Sequence, residues 1–202
     1  MLICDNIACK RGDNVIFQNI SLKLPEGKMI LLKGANGSGK TSLLKIISGL
    51  IKPHKGEVIF DKQNIENDLE SYNSNIQFIG HKNYLNKELT VLENLKFWAK
   101  LSDTETLLKA TIKFFKLDKV VDIPCYMLSE GWQKRVSLAK LFIKPSNLWL
   151  LDEPFANLDE EGTEMLLSII ASKCDQGGMV IASSHADFKI PFGKEFNISE
   201  KK

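Results

Sequence analysis

The sequence contains no apolar run that approaches the roughly 18–20 residues needed to cross a bilayer, so we expect no membrane-spanning helix. Its charge is nearly balanced, with 27 basic and 25 acidic side chains, which argues against a nucleic-acid binder that depends on a broad basic field. The four cysteines form no C-x-x-C pair and have no histidine at zinc-ligand spacing, so reduced, unbridged thiols are expected. The first residues lack the basic start and apolar core of a signal peptide, which predicts a chain that stays in the cytosol.

One glycine-rich stretch, residues 34–41, fits the pattern G-x-x-x-x-G-K-[ST] without mismatch. An apolar run precedes it and an apolar-periodic stretch follows it, which is the strand–loop–helix setting of a phosphate-binding loop. Glycines let successive backbone N–H groups turn toward one point, and the helix adds its free amides and positive dipole end. The sequence therefore predicts a protein that binds a nucleoside triphosphate. The residues predicted to contact it here are Gly34, Ala35, Asn36, Gly37, Ser38, Gly39, Lys40, Thr41 and Ser42.

A second motif places two carboxylates at the end of an apolar strand, residues 148–151, which is followed by Asp152 and Glu153. Ligands of open parallel sheets bind beyond the carboxyl ends of the strands, so both side chains are expected near the nucleotide. We expect Asp152 and the hydroxyl of Thr41 to hold Mg²⁺. Lys40 is predicted to place its charge on the β- and γ-phosphates, and Glu153 to orient and deprotonate the attacking water.

The remaining pattern predicts an α/β fold. Residues 1–24 alternate short apolar and polar runs around a turn signal, which indicates an antiparallel hairpin. The run 148–151 is apolar without alternation, as in a parallel strand buried on both faces, and residues 179–183 form the next core strand. We therefore predict the core of a P-loop NTPase, with a parallel sheet, an antiparallel β lobe and a helical lobe.

Two capping boxes mark helix starts in the middle of the chain: Thr90 with Glu93, and Ser102 with Glu105. Each pairs a hydroxyl with an acid three residues on, which can satisfy backbone donors reciprocally. These helices belong to the predicted helical lobe. The predicted boundaries are 1–202 for a single domain, about 83–145 for the helical lobe, and 186–202 for a short tail.

The most discriminating stretch is residues 128–136, in which Ser129 caps a helix and Gly131 follows. A capped, glycine-containing helix start seeks an anion, although on its own the stretch is equally well an ordinary capped helix. Because Asp152 follows Ser129 by 23 residues, the stretch resembles the LSGGQ signature of ATP-binding cassette ATPases. Residues 157–159 resemble the D-loop of that family, and His185, after the apolar run 179–183, occupies the switch-histidine position.

The resemblance covers the chain from about residue 2 to 187, and it implies an ATPase that works as a head-to-tail dimer. Two ATP molecules would lie between the phosphate loop of one copy and the Ser129–Gly131 helix start of the other, with Asp159 nearby. Closure on ATP and reopening after hydrolysis would drive membrane-spanning partner subunits, because ATP binds the closed dimer better than the open pair. Glu153 and His185 would make hydrolysis the reset step, and no nucleic acid is implied.

Four residues depart from the family pattern. His81 stands where the family usually carries a glutamine, and it can reach water or metal with a different donor pattern. Glu130 and Trp132 replace a glycine and a glutamine of the signature, and an acid near a triphosphate is expected to slow turnover. Arg11 stands at the position of the aromatic that stacks on adenine. A guanidinium can also stack on a base, so we expect Arg11 to contact the nucleotide with loose base selectivity.

Within the family, the sequence is similar to the ATPase subunit of the bacterial haem exporter used in cytochrome c maturation. That likeness implies a peripheral protein on the cytoplasmic face of the inner membrane; the chain itself has no haem-binding C-x-x-C-H. The stretches that carry it are Arg11-Gly12-Asp13, Gly80-His81, and Glu88-Leu89-Thr90 with Glu93-Asn94-Leu95.

Three alternatives stay open: the ATPase of another exporter for lipid, peptide or drug, a soluble cassette protein of translation or DNA repair, and a small phosphate-loop kinase. The helical lobe is expected to expose an apolar patch for the membrane partner. Tyr84 and Trp98 are either its anchors or ordinary core.

Overall fold

The structure, a computed structural model, describes residues 1–185 and 193–201, without the side chains of residues 200 and 201. The strands are, in chain order, β1 (Leu2–Arg11), β2 (Asn14–Leu24), β3 (Met29–Lys33), β4 (Lys55–Phe60), β5 (Gln63–Asn64), β6 (Ile76–Ile79), β7 (Leu148–Leu151), β8 (Met179–Ser183) and β9 (Gly193–Asn197). The α-helices are α1 (Lys40–Ile47), α2 (Leu69–Asn75), α3 (Val91–Leu101), α4 (Leu108–Phe114), α5 (Glu130–Ile143) and α6 (Glu160–Asp175). Short 3₁₀ segments cover Ile65–Asn67, Glu105–Leu107, Asp118–Val120, Cys125–Met127 and Ile198–Lys201.

The chain divides into two compact units. Unit 1 consists of Met1–Phe78, Ser146–Glu153 and Leu167–Lys202, and unit 2 consists of Ile79–Pro145 and Pro154–Leu166. The predicted single-domain boundary and the predicted extent of the helical lobe, about 83–145, stay predictions.

Unit 1 carries both sheets. The first has the order β2-β1-β4-β5 and is antiparallel, with Leu2 opposite Leu24 and Arg11 opposite Asn14, so the predicted hairpin is confirmed. The second has the order β6-β7-β8-β3-β9, in which β3 pairs in parallel with β8 and β8 with β7. Every residue of β7 and β8 is buried, as expected for parallel strands covered on both faces. The α/β prediction with a parallel core sheet is therefore confirmed.

The prediction of a short tail over residues 186–202 is wrong for residues 193–197, and its residues 186–192 and 202 lie outside the described part of the chain. Residues Gly193–Asn197 form β9, which pairs in parallel with β3 over its whole length and places Asn197 beside Lys33. The sequence of β9 is mostly polar because β9 is the last strand of its sheet and none of its five residues is buried. A polar edge strand lacks the apolar pattern that marks a core strand.

Unit 2 contains helices α3, α4 and α5. Thr90 caps α3 with the predicted capping box, in which Thr90 Oγ1 accepts from Glu93 N and Glu93 accepts from Thr90 N. The second box is wrong: Ser102 ends α3 as its C-cap, and Asp103 has a φ of 53°. A left-handed residue interrupts a right-handed helix, so the next helix, α4, begins only after the 3₁₀ segment that follows.

The four cysteines are free and buried, which agrees with the expectation of unbridged thiols. Burial raises the pKa of Cys4 to about 12. Among the residues that the structure describes, no helix is both long and apolar enough to pass through a bilayer.

Candidate functional site

The phosphate loop lies between β3 and α1 in unit 1, and its glycines have conformations that side chains rarely adopt. Gly37 and Gly39 have φ values of 77° and 103°. A Cβ added at Gly39 would lie 2.6 Å from Cδ1 of Phe17, so that glycine is required by both conformation and space. The loop thus leads directly into the first turn of α1, whose N–H groups have no partner within the helix.

Lys40, the first residue of α1, is almost fully buried. Its Nζ donates to the carbonyl oxygens of Gly34 (2.7 Å) and Ala35 (3.3 Å), both in the loop itself. Burial lowers the pKa of Lys40, and the charges of Glu153 and Asp152 oppose that effect. The loop therefore holds an ammonium group where the helix dipole also favours an anion.

Asp152 follows β7 and is 1% exposed. Its Oδ2 accepts from Thr41 Oγ1 at 2.9 Å, and its Oδ1 accepts from Ser183 Oγ at 2.8 Å. A buried carboxylate is costly unless its oxygens are hydrogen-bonded, and these two hydroxyls supply the bonds. The structure thus brings together both predicted Mg²⁺ ligands of unit 1, Thr41 and Asp152.

Glu153, His185 and Lys40 form a cluster of polar side chains in unit 1. His185 Nε2 lies 3.0 Å from Glu153 Oε1 and 3.3 Å from Lys40 Nζ, and Lys40 Nζ lies 4.0 Å from Glu153 Oε1. Glu153 has a left-handed backbone with a φ of 48°, which costs about 1 kcal/mol or more in a residue with a side chain. Its N–H donates to Ser183 Oγ at 2.8 Å, so Ser183 holds the backbone that carries Glu153 as well as the carboxylate of Asp152.

These groups fit a nucleotide with a divalent cation. Thr41 and Asp152 offer the hard oxygen atoms that Mg²⁺ prefers. The hydroxyl of Ser38 is buried and has no hydrogen-bond partner within the described part of the chain, which a polar ligand in the loop would correct.

The signature stretch lies in unit 2, where Ser129 is the N-cap of α5 and its Oγ accepts from Trp132 N at 3.4 Å. The start of α5 opens into a cavity of about 610 Å³, whose walls include Ser129, Gly131 and Asp159. A Cβ added at Gly131 would lie 2.9 Å from the carbonyl oxygen of Asn157, so the D-loop backbone approaches the helix start closely. The structure therefore brings Ser129, Gly131 and Asp159 to one pocket.

Arg135 joins the D-loop to α5 within the same pocket. Its Nη2 donates to Asp159 Oδ1 and Oδ2 at 2.7 and 3.0 Å, and to Glu161 Oε2 at 3.0 Å. Lys116 also pairs with Glu161. The hydrogen bond from Arg135 lowers the pKa of Asp159, helped by the N–H of Gly162. This network fixes the D-loop against the signature helix.

Two further predicted residues, Arg11 and His81, are exposed. Arg11 lies at the end of β1, and His81 lies just after β6. Within residues 1–185 and 193–201, no group of three or more His, Cys, Asp or Glu side chains is arranged to hold a metal. The roles of Arg11 and His81, like those of the other site residues, stay predictions.

Tyr84 and Trp98 differ in exposure. Tyr84 is 65% exposed, whereas Trp98 is half-buried. The ring centroid of Trp98 lies 4.3 Å from Nζ of Lys140. The same Nζ donates to the carbonyl of Tyr84, and burial lowers the pKa of Lys140 to about 8. Lys140, a buried residue of α5, therefore connects this helix to the loop after β6 that contains Tyr84.

Sequence reasoning missed Ser183 and the ion pairs of Arg135. A serine that ends the otherwise apolar strand β8 was the available signal for Ser183, because a hydroxyl buried at a strand end needs partners. The pairing of Arg135 with Asp159 had no local signal, since 24 residues separate them.

Comparisons with known proteins agree with this geometry. Residues 17–156 match the family described as ABC transporter. The chain is 42% identical over 186 residues to the cytochrome c biogenesis ATP-binding export protein CcmA of Wolbachia pipientis wMel, which covers 92% of this chain and 90% of that protein. It is 34% identical over 206 residues to the protein of the same name from Haemophilus influenzae, covering all of this chain and 96% of the relative.

Solved structures give the same fold. An ABC transporter ATP-binding protein from Pyrococcus furiosus superposes with a TM-score of 0.85 at 25% identity, covering 99% of this chain and 98% of the other. A dimeric ATP-binding cassette in a post-hydrolysis state bound to ADP and Pi superposes with a TM-score of 0.80 at 24% identity, covering 92% and 88%.

Proposed function

The chain belongs to the ABC transporter family as one of its ATP-binding ATPases, and on this premise we propose that it drives the haem exporter of cytochrome c biogenesis. The observation that carries the ATPase chemistry is the cluster of Lys40, Glu153 and His185, whose polar atoms lie within 4.0 Å of one another beside the phosphate loop. The assignment to cytochrome c biogenesis rests on the export proteins to which the chain is similar.

ATP binding is the task of the loop and of α1. The amides at the start of α1 and the ammonium of Lys40 bind the β- and γ-phosphates, and Ser38 and Ser42 add hydroxyls at the same helix start. Arg11 stacks its guanidinium on the base. Thr41 and Asp152 would hold Mg²⁺, which neutralises phosphate charge when bound.

Hydrolysis needs a base and a group that keeps it oriented. Glu153 takes a proton from water, the water oxygen forms a bond to the γ-phosphorus, and the bond to the β–γ bridging oxygen breaks to leave ADP and phosphate. His185 orients the carboxylate of Glu153, because His185 Nε2 lies 3.0 Å from Glu153 Oε1. Ser183 fixes the positions of Asp152 and Glu153, because its hydroxyl donates to Asp152 Oδ1 and accepts from the N–H of Glu153.

A second copy of the chain completes each site. The N-terminus of α5, with Ser129 and Gly131, is a second anion-seeking helix start with its own pocket, and one nucleotide needs only one phosphate loop. The signature of the partner copy binds the γ-phosphate, and Asp159 of its D-loop lines the same contact. Closure of the two copies on ATP drives the conformational change of the membrane-spanning subunits, and hydrolysis lets the two copies open again.

The membrane-spanning subunits dock on unit 2. Its described surface exposes the apolar side chains of Tyr84, Phe97 and Leu101, which are 65%, 59% and 68% exposed. Phe97 and Leu101 lie one turn apart on α3, so they share a face. His81 lies in the loop that carries Tyr84 and communicates the state of the nucleotide to this surface. The ATPase is therefore peripheral, on the cytoplasmic face of the inner membrane.

Co-purification from native membranes tests the proposal. We expect tagged wild-type chain to recover integral membrane proteins of cytochrome c maturation, and the exposed-face variant Phe97→Ser/Leu101→Ser to lose them while still binding ATP. The matched control is Lys100→Ser, which changes an exposed residue of the same helix. Recovery of another permease would keep the mechanism and discard the haem assignment, and recovery with ribosomes or DNA in the soluble fraction would overturn the transporter assignment.

A further inference from the structure

The segment Ile198–Ser199, hereafter the 198–199 segment, follows β9 and contacts the beginning of the phosphate loop. Because β9 pairs with β3 until Asn197 lies beside Lys33, the chain emerges level with Gly34. Asn197 Oδ1 accepts from Ser199 N at 3.1 Å, which is an Asx-type bond that turns the backbone sharply after the strand.

Gly34 is enclosed by this segment. A Cβ at Gly34 would lie 2.8 Å from Ile198 Cγ2, 2.9 Å from Ser199 Oγ and 2.7 Å from Ser38 Oγ. Gly34 also has a φ of 148°, so any side chain there is excluded by both conformation and space. The first glycine of the phosphate loop is thus packed between the loop's own serine and the 198–199 segment.

Two contacts hold the segment in this place. Ile198 is fully buried and belongs to a hydrophobic core cluster of unit 1. Ser199 Oγ accepts a hydrogen bond from the N–H of Ala35 at 3.3 Å. One residue therefore anchors the segment in the core, and the next fixes a loop amide from outside the loop.

We infer that Ile198 and Ser199 are positioning residues, which hold Gly34 and Ala35 in the backbone conformation that binds ATP. This inference rests on the proposed binding of a nucleoside triphosphate by the phosphate loop. A loop whose amides are already oriented loses less conformational entropy when the phosphates bind, and so binds them more tightly. Neither residue touches the reacting atoms, so their effect is on affinity rather than on the rate of the chemical step.

The experiment compares Ser199→Ala with Ser199→Thr in the full-length chain. Ser199 is exposed, so its truncation opens no cavity, and loss of its hydrogen bond should lower the thermal midpoint by no more than about 4 °C. Loss of one neutral hydrogen bond predicts that Kd and KM for ATP rise about threefold to tenfold in Ser199→Ala, with kcat unchanged. Ser199→Thr keeps the hydroxyl and should stay within about twofold of wild type. Lys194→Ala, an exposed change on β9, is the matched control.

Hydrogen exchange of the Ala35 amide gives a second readout, because it reports directly whether the hydrogen bond to Ser199 holds the loop. We expect Ala35 to lose protection in Ser199→Ala and to regain it in Ser199→Thr, with amides of β3 unchanged. Wild-type chain that binds no ATP would overturn the proposed function and this inference together. Wild-type chain that binds ATP, with Ser199→Ala equal to it in affinity, would overturn this inference alone, whether or not Ala35 exchange changes.

Discussion

Two helix starts, those of α1 and α5, are proposed to bind phosphate, but their surroundings differ. At the start of α1, Lys40 and Thr41 are joined to Asp152, Glu153 and His185 by contacts of 4.0 Å or less. At the start of α5, Arg135 of the pocket is paired with Asp159 and Glu161. The carboxylates of that pair are more than half exposed, whereas Asp152 is buried.

The difference teaches that a helix start suited to an anion can lie in a unit that lacks the catalytic side chains proposed for this ATPase. Unit 1 holds the phosphate loop with the proposed base and the proposed Mg²⁺ ligands, so changes there should affect the isolated chain. Unit 2 holds the helix start of α5 without these groups, so changes there should leave ATP binding by the isolated chain unchanged. Four substitutions test this separation, from the largest expected effect to the smallest.

Glu153→Gln should reduce ATP turnover by about 100-fold or more, because a positioned base contributes on the order of 10²–10⁴. ATP affinity should be kept, since the amide is isosteric and binding depends on the loop. Phosphate release by the chain with its membrane partners measures the first, and calorimetric titration the second. Glu160→Gln, an exposed acid at the start of α6, is the control. Turnover by Glu153→Gln at the wild-type rate would remove Glu153 from the role of base.

Lys40→Met should weaken ATP binding to the isolated chain by about 10- to 100-fold, because hydrogen bonds to charged groups contribute about 1.5–3 kcal/mol each. Methionine fills the volume of the buried stem, so the fold should persist. Titration of ATP against Lys40→Met and against Lys45→Met, in the same helix, separates the role of the ammonium from that of a lysine in general. Equal affinities for the two variants would contradict the assignment of Lys40.

Gly131→Ala should lower turnover by about tenfold while the isolated chain binds ATP with unchanged affinity. The new Cβ would meet the backbone oxygen of Asn157 at 2.9 Å, so the D-loop or the helix start must shift, and an effective catalytic geometry tolerates little displacement. Turnover and ATP-dependent dimerisation, measured by light scattering, report the paired state. Weaker ATP binding by the isolated variant would show that unit 2 contributes to ATP binding within a single chain.

Arg135→Ala should lower the free energy of unfolding by about 1 kcal/mol at neutral pH, the upper end for an ion pair with exposed carboxylates. Because Arg135 lowers the pKa of Asp159, the pair stabilises the folded chain above the ordinary aspartate pKa of about 3.9. That contribution disappears as the pH falls through the lowered pKa of the folded state. Urea unfolding of wild type and Arg135→Ala from pH 7 to pH 3 measures the convergence.

The control for this pair is Lys119→Ala, an exposed cation that lines the same pocket. It should leave the free energy of unfolding within about 0.5 kcal/mol of wild type at every pH. A difference between wild type and Arg135→Ala that stays constant down to pH 3 would mean that lost packing of the arginine stem, not charge, is responsible.

Local motifs made most of this site predictable. A few neighbouring residues suffice to predict the phosphate loop, the carboxylates after β7 and the cap at Ser129. Turns, caps and helices depend mainly on residues that are close in sequence. The order of buried apolar runs then sufficed for the parallel sheet, whose strands need no alternation.

The contacts that refine the site join distant segments and leave little local trace. Ser183 reaches Asp152 across 31 residues, and Ser199 reaches Ala35 across 164. The capping box at Ser102 failed for the opposite reason, since a good local pattern was overruled by the left-handed Asp103 and the end of α3.

The buried cysteines have a practical consequence. All four thiols in the chain are at most 7% exposed, and burial raises the pKa of each, so little reactive thiolate exists at neutral pH. A cysteine introduced on the surface would therefore face almost no background from native ones. Wild-type sequence can serve directly as the parent for spin labels, fluorophores and engineered cross-links that follow opening and closing in real time.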